Sequence, residues 1–470
     1  MIKLKVTTEA RVAGEFVGAE LGDARLGSRL ATIVNRLAAA PDVGFPQALT
    51  TGADLEGFYR FIRNEAVKPE SLLKPHVEAT VGRLAQHAEA LAVHDTSEFR
   101  FGGSREDLGR LTKSGHGFLG HFTLAVTADD RRDPLGTIAL HTWTRQKVTP
   151  TALRKQGKIS ITEAMSLPNE QDRWWQSIET AEAAAQGTAS LIHVMDSEAD
   201  DYDLMGKLLE GGLRWVIRLC YDRRLADAAP GTKTKEFIAE REVLCTRKVA
   251  LSRRDRQPGG GQRKRTAARE QRMATLAISA GAVKFRRTQY YADAPATLDV
   301  NIVSVREVDA PIDAEPMEWL LITSEPIDRE DQVLKIVDCY RGRWRIEELF
   351  KALKTGCAFE KRQLESRQTL LNALALFVPI AWALLRLRTT ARRNDVAATA
   401  VLTPEQITVL RKAAEVPLPV QPSARDALLA VARLGGHLHS NGDPGWQVLG
   451  RGYQDLLMLV AGYRLAIGQM

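Results

Sequence analysis

The chain has 470 residues, enough for about three domains, and its 44% hydrophobic and 26% charged residues are an ordinary balance for a globular protein. The net charge of +7 is a mild lean towards acidic partners such as nucleic acid. Four widely spaced cysteines without a CxxC pair argue against a disulfide scaffold and a structural zinc site, so we expect a reducing, cytoplasmic location. The N-terminus has no apolar segment, so we expect no signal peptide.

Residues 1–75 are predicted to form a basic helical module. Asp23 can cap a helix, because a short acidic side chain accepts hydrogen bonds from the free N–H groups of a first helical turn. The later stretch Asp54–Val67 carries Arg60 and Arg63, which are available to a phosphate backbone. The alternative, a small helical bundle with a solvated face, fits this pattern equally well.

Two short apolar runs each end in a carboxylate, Leu91–Asp95 (LAVHD) and Leu191–Asp196 (LIHVMD). Both have the composition of buried strands, as does Arg214–Leu219. Further strands are predicted at 117–126, 135–143 and 319–322, and helices at 170–188 and 197–210. Strands that alternate with helices predict an α/β core.

Residues 241–290 are distinctly basic, and Lys and Arg far outnumber Asp and Glu there. The densest part, Ser252–Arg265, is predicted to be a basic loop. Its flanking strands are predicted at 247–251, 275–278 and 283–286. Such a run is most often solvated, but beside a candidate metal site it is a candidate phosphate contact.

The run Leu370–Leu385 is almost entirely apolar and could be mistaken for a membrane span. Its 16 residues are too short as a helix to cross a hydrocarbon core of about 30 Å, and Asn372 and Pro379 interrupt it. We therefore expect a buried helix and no membrane association.

The stretch Glu330–Gly356 is predicted to be one long helix, because it is rich in helix formers and has no proline. At about 100° per residue, Arg343, Glu347 and Lys354 fall within an arc of about 60° that begins at Tyr340. An apolar arc lies beside it and is expected to pack on the core. We therefore expect the polar arc that contains these four residues to face outwards. A solvated charged face is the usual explanation of such a stripe, but a phenol and two cations can also bind phosphate.

The three carboxylates Asp95, Asp196 and Glu347 would come from two strand ends and a helix face. Two-metal phosphoryl-transfer sites need hard oxygen ligands from rigid elements of this kind, so we predict two Mg²⁺ or Mn²⁺ ions. Each Asp alone is weak support, since an Asp after a strand is often a turn former. His94 and His193 are expected to point to the opposite side or to fill the core.

The residues Tyr340, Arg343, Glu347 and Lys354 have the spacing Tyr-x2-Arg-x3-Glu-x6-Lys. This pattern resembles the signature of the DDE transposases of the insertion-sequence-four family, specifically those of the Tn-five type. LAVHDTSEF and VMDSEAD resemble the stretches around the family's two catalytic Asp residues, here Asp95 and Asp196. EWLLITSEP resembles the strand whose Trp, here Trp319, is implied to stack on a flipped base, and RWVIRL places Arg218 at a phosphate-contacting position.

The resemblance also covers both ends of the chain, through GFYRFIRN and AVARLGGHLHS. It implies an RNase H-like catalytic core with a β-rich insertion, flanked by helical N- and C-terminal domains. The implied domains are 1–75 for DNA-end binding, 76–368 for catalysis, with the insertion at about 225–325, and 369–470 for dimerisation.

The implied function is cut-and-paste transposition. Metal-dependent cleavage of transposon ends would proceed through 3′-OH and hairpin intermediates, followed by strand transfer into target DNA. The implied partners are double-stranded DNA, as transposon ends and as target, and a second copy in a synaptic homodimer. Two alternatives stay open: an RNase H-like structure-specific nuclease, which would not need Trp319, and a domesticated, catalytically inactive DNA-binding protein.

Overall fold

The structure is a computed structural model that describes residues 12–103, 105, 107–112, 114–145, 157, 171–251, 270–288, 294–312, 314–393, 395–438 and 443–467. Its centre is one large mixed β-sheet with helices on both faces, and helical segments precede and follow it. The protein is therefore mixed α/β, as the alternation of strand and helix patterns predicted.

The sheet is preceded by helices α1 (Ala24–Ala39), α2 (Phe45–Ala48), α3 (Gly52–Ile62) and α4 (Pro69–Leu84). Asp23 caps α1 as predicted, and its carboxylate accepts a hydrogen bond of 2.8 Å from the backbone N–H of Arg25. The boundary placed after residue 75 falls inside α4, because Leu72 and Leu84 near its two ends are both buried and hold it as one helix.

The first half of the sheet contains β1 (Glu89–Phe101), β2 (Gly109–Arg110), β3 (His116–Thr127), β4 (Pro134–Trp143), β5 (Ser190–Met195) and β6 (Arg214–Arg218). Strands β1, β5 and β6 run parallel to one another, and β3 joins β1 and β4 by antiparallel pairing. The prediction that the first strand ends at Asp95 is wrong. β1 continues to Phe101, because β3 still pairs with it beyond the last residue paired with β5.

The segment that the resemblance implies to be an insertion continues the same sheet with β7 (Cys245–Leu251), β8 (Arg272–Arg286), β9 (Thr297–Glu307) and β10 (Glu318–Thr323). These strands are antiparallel, and β10 joins them to β6. The two short strands predicted at 275–278 and 283–286 are one strand, because its pairing with β9 is continuous. The predicted basic loop Ser252–Arg265 lies outside the described residues.

Helices α5 (Asp172–Ala185), α6 (Tyr202–Glu210) and α7 (Thr234–Ala239) cover one face of the sheet. The other face holds α8 (Glu330–Gly342), α9 (Trp344–Lys351) and a π-helical turn, Ala352–Gly356. The predicted continuous helix is thus interrupted at Arg343, and its hydrogen-bond pattern changes in its last turn.

The sheet curls around α8. Arg132, in the turn between β3 and β4, and Arg247 on β7, at the far end of the sheet, both form ion pairs with Asp338 of α8. At the end of α8 a Cβ on Gly342 would lie 2.5 Å from a Leu91 methyl carbon, so a larger residue at this position would require the buried Leu91 side chain to move. The helix that carries the candidate residues is therefore fixed on the sheet by packing.

The chain ends in α10 (Arg367–Ala391), α11 (Pro404–Ala413), α12 (Ala424–Leu434) and α13 (Trp446–Ala466). By length and composition α10 could cross a membrane, but 78% of its most apolar window is buried inside the protein. Asn372 in this helix donates hydrogen bonds of 3.0 Å to the carbonyls of Ile62 and Val67. The apolar run thus packs as a core helix against the N-terminal helices.

Candidate active site

Asp95 and Asp196 are brought together by strand register. Val93 lies opposite Val194 in the parallel pair β1–β5, and the same register carried two residues further places Asp95 level with Asp196. Residues two apart on a strand share a face, so both carboxylates lie on the face that α8 and α9 cover.

Arg343, at the junction of α8 and α9, connects Asp95 to the third predicted carboxylate. One guanidinium nitrogen lies 3.3 Å from Asp95 Oδ2, and the other donates to Glu347 Oε1 at 2.6 Å. The side chains of Arg343 and Asp95 are 14% and 16% exposed, so the contact is shielded from bulk water. Asp95, which is distant in sequence from Arg343 and Glu347, therefore forms one cluster with them.

The electrostatics of this cluster are set first by burial and then by the neighbouring negative charges. Burial raises the pKa of Asp95 to about 7, and the nearby Asp196 and Glu347 add to this effect, while Arg343 opposes it. Burial alone would lower the pKa of Arg343, but Tyr340, Glu347 and Asp95 raise it above its ordinary value. Three carboxylates thus lie close together, and only two of them contact the Arg343 guanidinium, so the site favours a further cation.

Tyr340, Trp319 and Arg218 lie next to this cluster. Val194 lies opposite Val216, so the β5–β6 register carried two residues further places Arg218 level with Asp196, and Leu321 of β10 is paired with Arg218. The Trp319 ring meets the Tyr340 ring edge-on, with centroids 5.3 Å apart. Burial raises the pKa of Tyr340. The guanidiniums of Arg343 and Arg218, which are both close to its hydroxyl, oppose this rise.

The expectation that Tyr340 faces outwards is wrong, because it is 5% exposed and packs with the core of the sheet. The outward arc is narrower than predicted, since the sheet curls around α8 and covers its flank. Lys354 lies further along, where its ammonium donates to the carbonyl of Glu98 at 2.6 Å. Burial lowers the pKa of Lys354.

Sequence reasoning missed Asp200, four residues after Asp196, which is 3% exposed. Its Oδ2 accepts hydrogen bonds from the backbone N–H groups of Cys220 at 2.5 Å and Tyr221 at 2.8 Å, and Arg223 forms an ion pair with its other oxygen. Asp200 therefore ties the turn that carries Asp196 to the turn that follows Arg218. The signal was the last acid in the DSEAD motif, Asp196–Asp200.

A second missed residue is Trp344, the neighbour of Arg343. Its side chain is 52% exposed, and the Lys351 ammonium lies 4.8 Å from the centre of the ring. An exposed tryptophan is unusual on a helix whose other large apolar residues are buried or partly buried, and its position within the charged stretch was the available signal.

The prediction for His94 and His193 is confirmed. They lie on the opposite face of the sheet, fully buried, with 2.8 Å between His94 Nε2 and His193 Nδ1. His193 Nε2 is 2.8 Å from Glu182 on α5. They are satisfied core residues and do not reach the carboxylates.

Arg60 and Arg63 on the N-terminal helices are not brought to this cluster by any described contact. Arg60 forms an ion pair with Glu56, one turn earlier on α3, and Arg63 with Glu365 at 2.9 Å. Both side chains are more than half exposed. They remain available for a ligand on the surface of the N-terminal helices.

Within the described part of the chain, no three His, Cys, Asp or Glu side chains stand close enough to hold one metal ion as they are placed. Arg343 occupies the space between Asp95 and Glu347. The donors are nevertheless hard carboxylate oxygens in a site with uncompensated negative charge, which is the chemistry that Mg²⁺ and Mn²⁺ require. The residues thus fit a divalent cation, provided that Arg343 releases at least one carboxylate.

Comparison with known proteins agrees with these features. Residues 9–67 match the family described as transposase DNA-binding, and residues 168–381 match the transposase DDE domain. The DDE match contains Asp196 and Glu347, whereas Asp95 lies between the two matched segments. A DDE domain implies an RNase H-like fold, and the large mixed sheet agrees with it.

Among solved structures, the chain is similar to a piggyBac transposase synaptic complex with hairpin DNA, determined by cryo-electron microscopy. The sequence identity is 10% and the TM-score 0.35, over 98% of this chain and 78% of that chain. The two family matches carry the assignment: this DNA-binding chain is a DDE transposase.

Proposed function

We propose that this DDE transposase moves DNA by cut-and-paste transposition and belongs to the insertion-sequence-four family, among the Tn-five-type enzymes. It would cleave transposon ends, form and open a hairpin through the released 3′-OH, and join that 3′-OH to target DNA. The observation that carries the proposal is Arg343 bound to both Asp95 and Glu347, with Asp196 level with Asp95 in the sheet.

Asp95, Asp196 and Glu347 would hold the divalent cations, two Mg²⁺ or Mn²⁺ per site. When bound, such ions supply an activated water or hydroxyl nucleophile and stabilise the leaving oxygen. The protein's own part is to fix the three carboxylates on packed elements before DNA arrives. Asp200 contributes by holding the Asp196 turn against the next one.

The surrounding donors are suited to positioning DNA. Arg343 and Lys354 are cations, and Arg218 and the Tyr340 hydroxyl lie beside the carboxylates, so these four side chains would bind phosphates near the cleaved bond. Trp319 would stack on a base taken out of the duplex, because its ring is only partly buried.

The remaining domains would select and pair the DNA ends. Residues 1–75 would bind the transposon ends, with Arg60 and Arg63 on phosphates, 76–368 would form the catalytic domain, and 369–470 would dimerise in the synaptic complex. The first boundary belongs before α4, which begins at Pro69. We place the enzyme in the cytoplasm, on DNA, since all four cysteines are free.

The test is cleavage of the cognate transposon ends by Glu347→Gln with Mg²⁺. The variant keeps the shape of the side chain and loses its charge, so cleavage should fall by roughly 10³-fold or more, which corresponds to several kcal/mol of metal stabilisation. End binding in a gel shift should persist. Glu330→Gln, an exposed acid at the start of α8, is the matched control and should cleave normally. Equal cleavage by Glu347→Gln and wild type would overturn the proposal.

A further inference from the structure

The far side of α8 carries a second charged cluster, centred on Asp338. Asp338 lies roughly 160° around the helix from Tyr340, so it points away from the carboxylate site. Three guanidinium groups reach its carboxylate: Arg132 at 2.8 Å, Arg247 at 2.6 Å and Arg341 at 2.9 Å. We call these four residues the Asp338 cluster.

The Asp338 cluster gathers three separate parts of the chain. Arg132 lies in the turn between β3 and β4, Arg247 on β7 at the other end of the curled sheet, and Arg341 on α8. Arg345 holds the turn in place, because its guanidinium donates to the carbonyls of Arg132 at 2.9 Å and Arg131 at 3.2 Å. The guanidiniums are therefore presented on packed elements.

The charges of the Asp338 cluster do not balance. Within the cluster one carboxylate faces three cations. Burial and the nearby Arg341 lower the pKa of Arg132, while Asp338 and Asp130 oppose this shift. In the described contacts Arg247 and Arg341 each use one guanidinium nitrogen on Asp338, which leaves their other N–H groups for a ligand. Both side chains are 32% exposed, so an anion can approach them from solvent.

We propose that the Asp338 cluster is a DNA-backbone contact outside the active site, where phosphates of the duplex bind Arg247 and Arg341. A guanidinium presents a planar fork of donors that matches phosphate oxygens, and three on one rigid surface suit a repeating polyanion. The contact is to the backbone, so it is independent of base sequence. The inference rests on the DNA transposase assignment and not on the cleavage mechanism.

The opposite explanation is that Asp338 serves only as a structural tie between the two ends of the sheet. The two explanations predict different changes in DNA affinity for one substitution. Asp338→Asn keeps a hydrogen-bond acceptor for the arginines but removes the charge that competes with phosphate. A DNA contact predicts tighter DNA binding by this variant, whereas a structural tie predicts unchanged or weaker binding.

The experiment measures Kd for duplex DNA of unrelated sequence over a range of salt concentrations. All proteins carry Glu347→Gln, so that no cleavage occurs and the result is independent of the proposed chemistry. Arg247→Gln and Arg341→Gln should each weaken binding and lower the slope of log K against log salt by about 0.9, as expected for one lost phosphate contact. Asp338→Asn should have a lower Kd than the parent at every salt concentration.

Arg329→Gln is the matched control. Arg329 is an exposed arginine at the start of the same helix and is also paired with an acid, Asp331, at 2.7 Å. The substitution removes one positive charge at a position away from the Asp338 cluster, and it should leave the salt slope unchanged. An equal loss of slope in Arg329→Gln would overturn the proposal. So would unchanged or weaker binding by Asp338→Asn in a protein whose thermal unfolding matches the parent.

Discussion

The two sides of the α8–α9 segment gather charge in opposite proportions. On one side the guanidinium of Arg343 contacts two carboxylates, Asp95 and Glu347, with the Asp196 carboxylate nearby. On the other side three guanidiniums share one carboxylate, that of Asp338. Both clusters are partly shielded from solvent, so neither excess charge is fully screened by water.

An unbalanced cluster of charges costs free energy in the isolated protein, and it is relieved by a ligand of the opposite charge. The difference between the two sides therefore indicates two different ligands, a metal cation at the Arg343 side and a phosphate at the Asp338 side. Because both lie on one segment, a substitution on either side can be compared with its counterpart in the same local fold.

The largest effect is expected for Arg343→Gln. Removing a buried guanidinium leaves Asp95 and Glu347 without their partner, which should lower the free energy of unfolding in EDTA by roughly 3–5 kcal/mol. Mg²⁺ should then raise the melting temperature of the variant more than that of wild type, because the ion replaces the lost positive charge. Differential scanning fluorimetry with and without Mg²⁺ measures both values.

Arg341→Gln is the control from the other side of the segment. It removes a guanidinium from the Asp338 cluster, where cations are already in excess, so the Mg²⁺-dependent shift should equal that of wild type. If Mg²⁺ shifts Arg343→Gln and wild type by the same amount, the carboxylate side does not bind the ion.

The carboxylate side could be predicted from sequence because its residues follow local rules. Asp196 directly follows a short apolar strand, and the helix spacing from Tyr340 to Lys354 is periodic. The ion pair of Arg343 with Glu347 follows the same local spacing, but the pair with Asp95 was beyond such rules, since it depends on how closely α8 approaches β1 at Gly342.

The Asp338 side could not be predicted for a related reason. Arg132 and Arg247 are far apart in sequence and lie at opposite ends of the sheet, and only its curl around α8 brings them to one carboxylate. The same curl buries Tyr340, which helical periodicity placed outwards. Periodicity identifies the face of a helix that meets the core, but it does not report how far a sheet extends around that helix.

Asp95→Asn sharpens the comparison through pH. Burial and the neighbouring Asp196 raise the pKa of Asp95 from 3.8 to about 7, so between these values the folded protein keeps a proton that the unfolded chain releases. Without metal, this group therefore makes the protein less stable as pH rises through that window. The free energy of unfolding of the variant should exceed that of wild type by on the order of 2–4 kcal/mol at pH 8, and the two values should be equal near pH 4.

Denaturant unfolding in EDTA at the two pH values measures this difference. Asp331→Asn is the control, because Arg329 lowers the pKa of that exposed carboxyl. Removing this carboxylate should therefore not increase the stability at high pH. If the difference in the free energy of unfolding between Asp95→Asn and wild type is the same at both pH values, Asp95 is not held among excess negative charge.

Trp319→Ala tests the DNA side of the carboxylate cluster. We expect the variant to slow hairpin formation more than first-strand nicking, because a stacked base contributes about 1–3 kcal/mol only once it has left the duplex. The ring also contacts Tyr340, so Trp319→Phe, which retains an aromatic ring, should recover part of the rate. Gel-based kinetics of the two steps give the result, and equal slowing of both steps would contradict a stacking role.

The smallest effect is expected at Arg60 and Arg63, and it separates sequence-specific end binding from the backbone contact at the Asp338 cluster. Both arginines are exposed on the N-terminal helices and pair with single acids, so Arg60→Gln and Arg63→Gln should leave thermal stability almost unchanged. Each should reduce the salt slope for cognate ends by about 0.9, and should weaken cognate ends more than unrelated DNA. Arg247→Gln should weaken the binding of both DNAs equally.

Arg25→Gln, which removes an exposed ion pair from α1, serves as the control. Equal weakening of both DNAs by Arg60→Gln and Arg63→Gln would mean that these helices contact only the backbone, and that the specificity for the ends lies elsewhere in the chain.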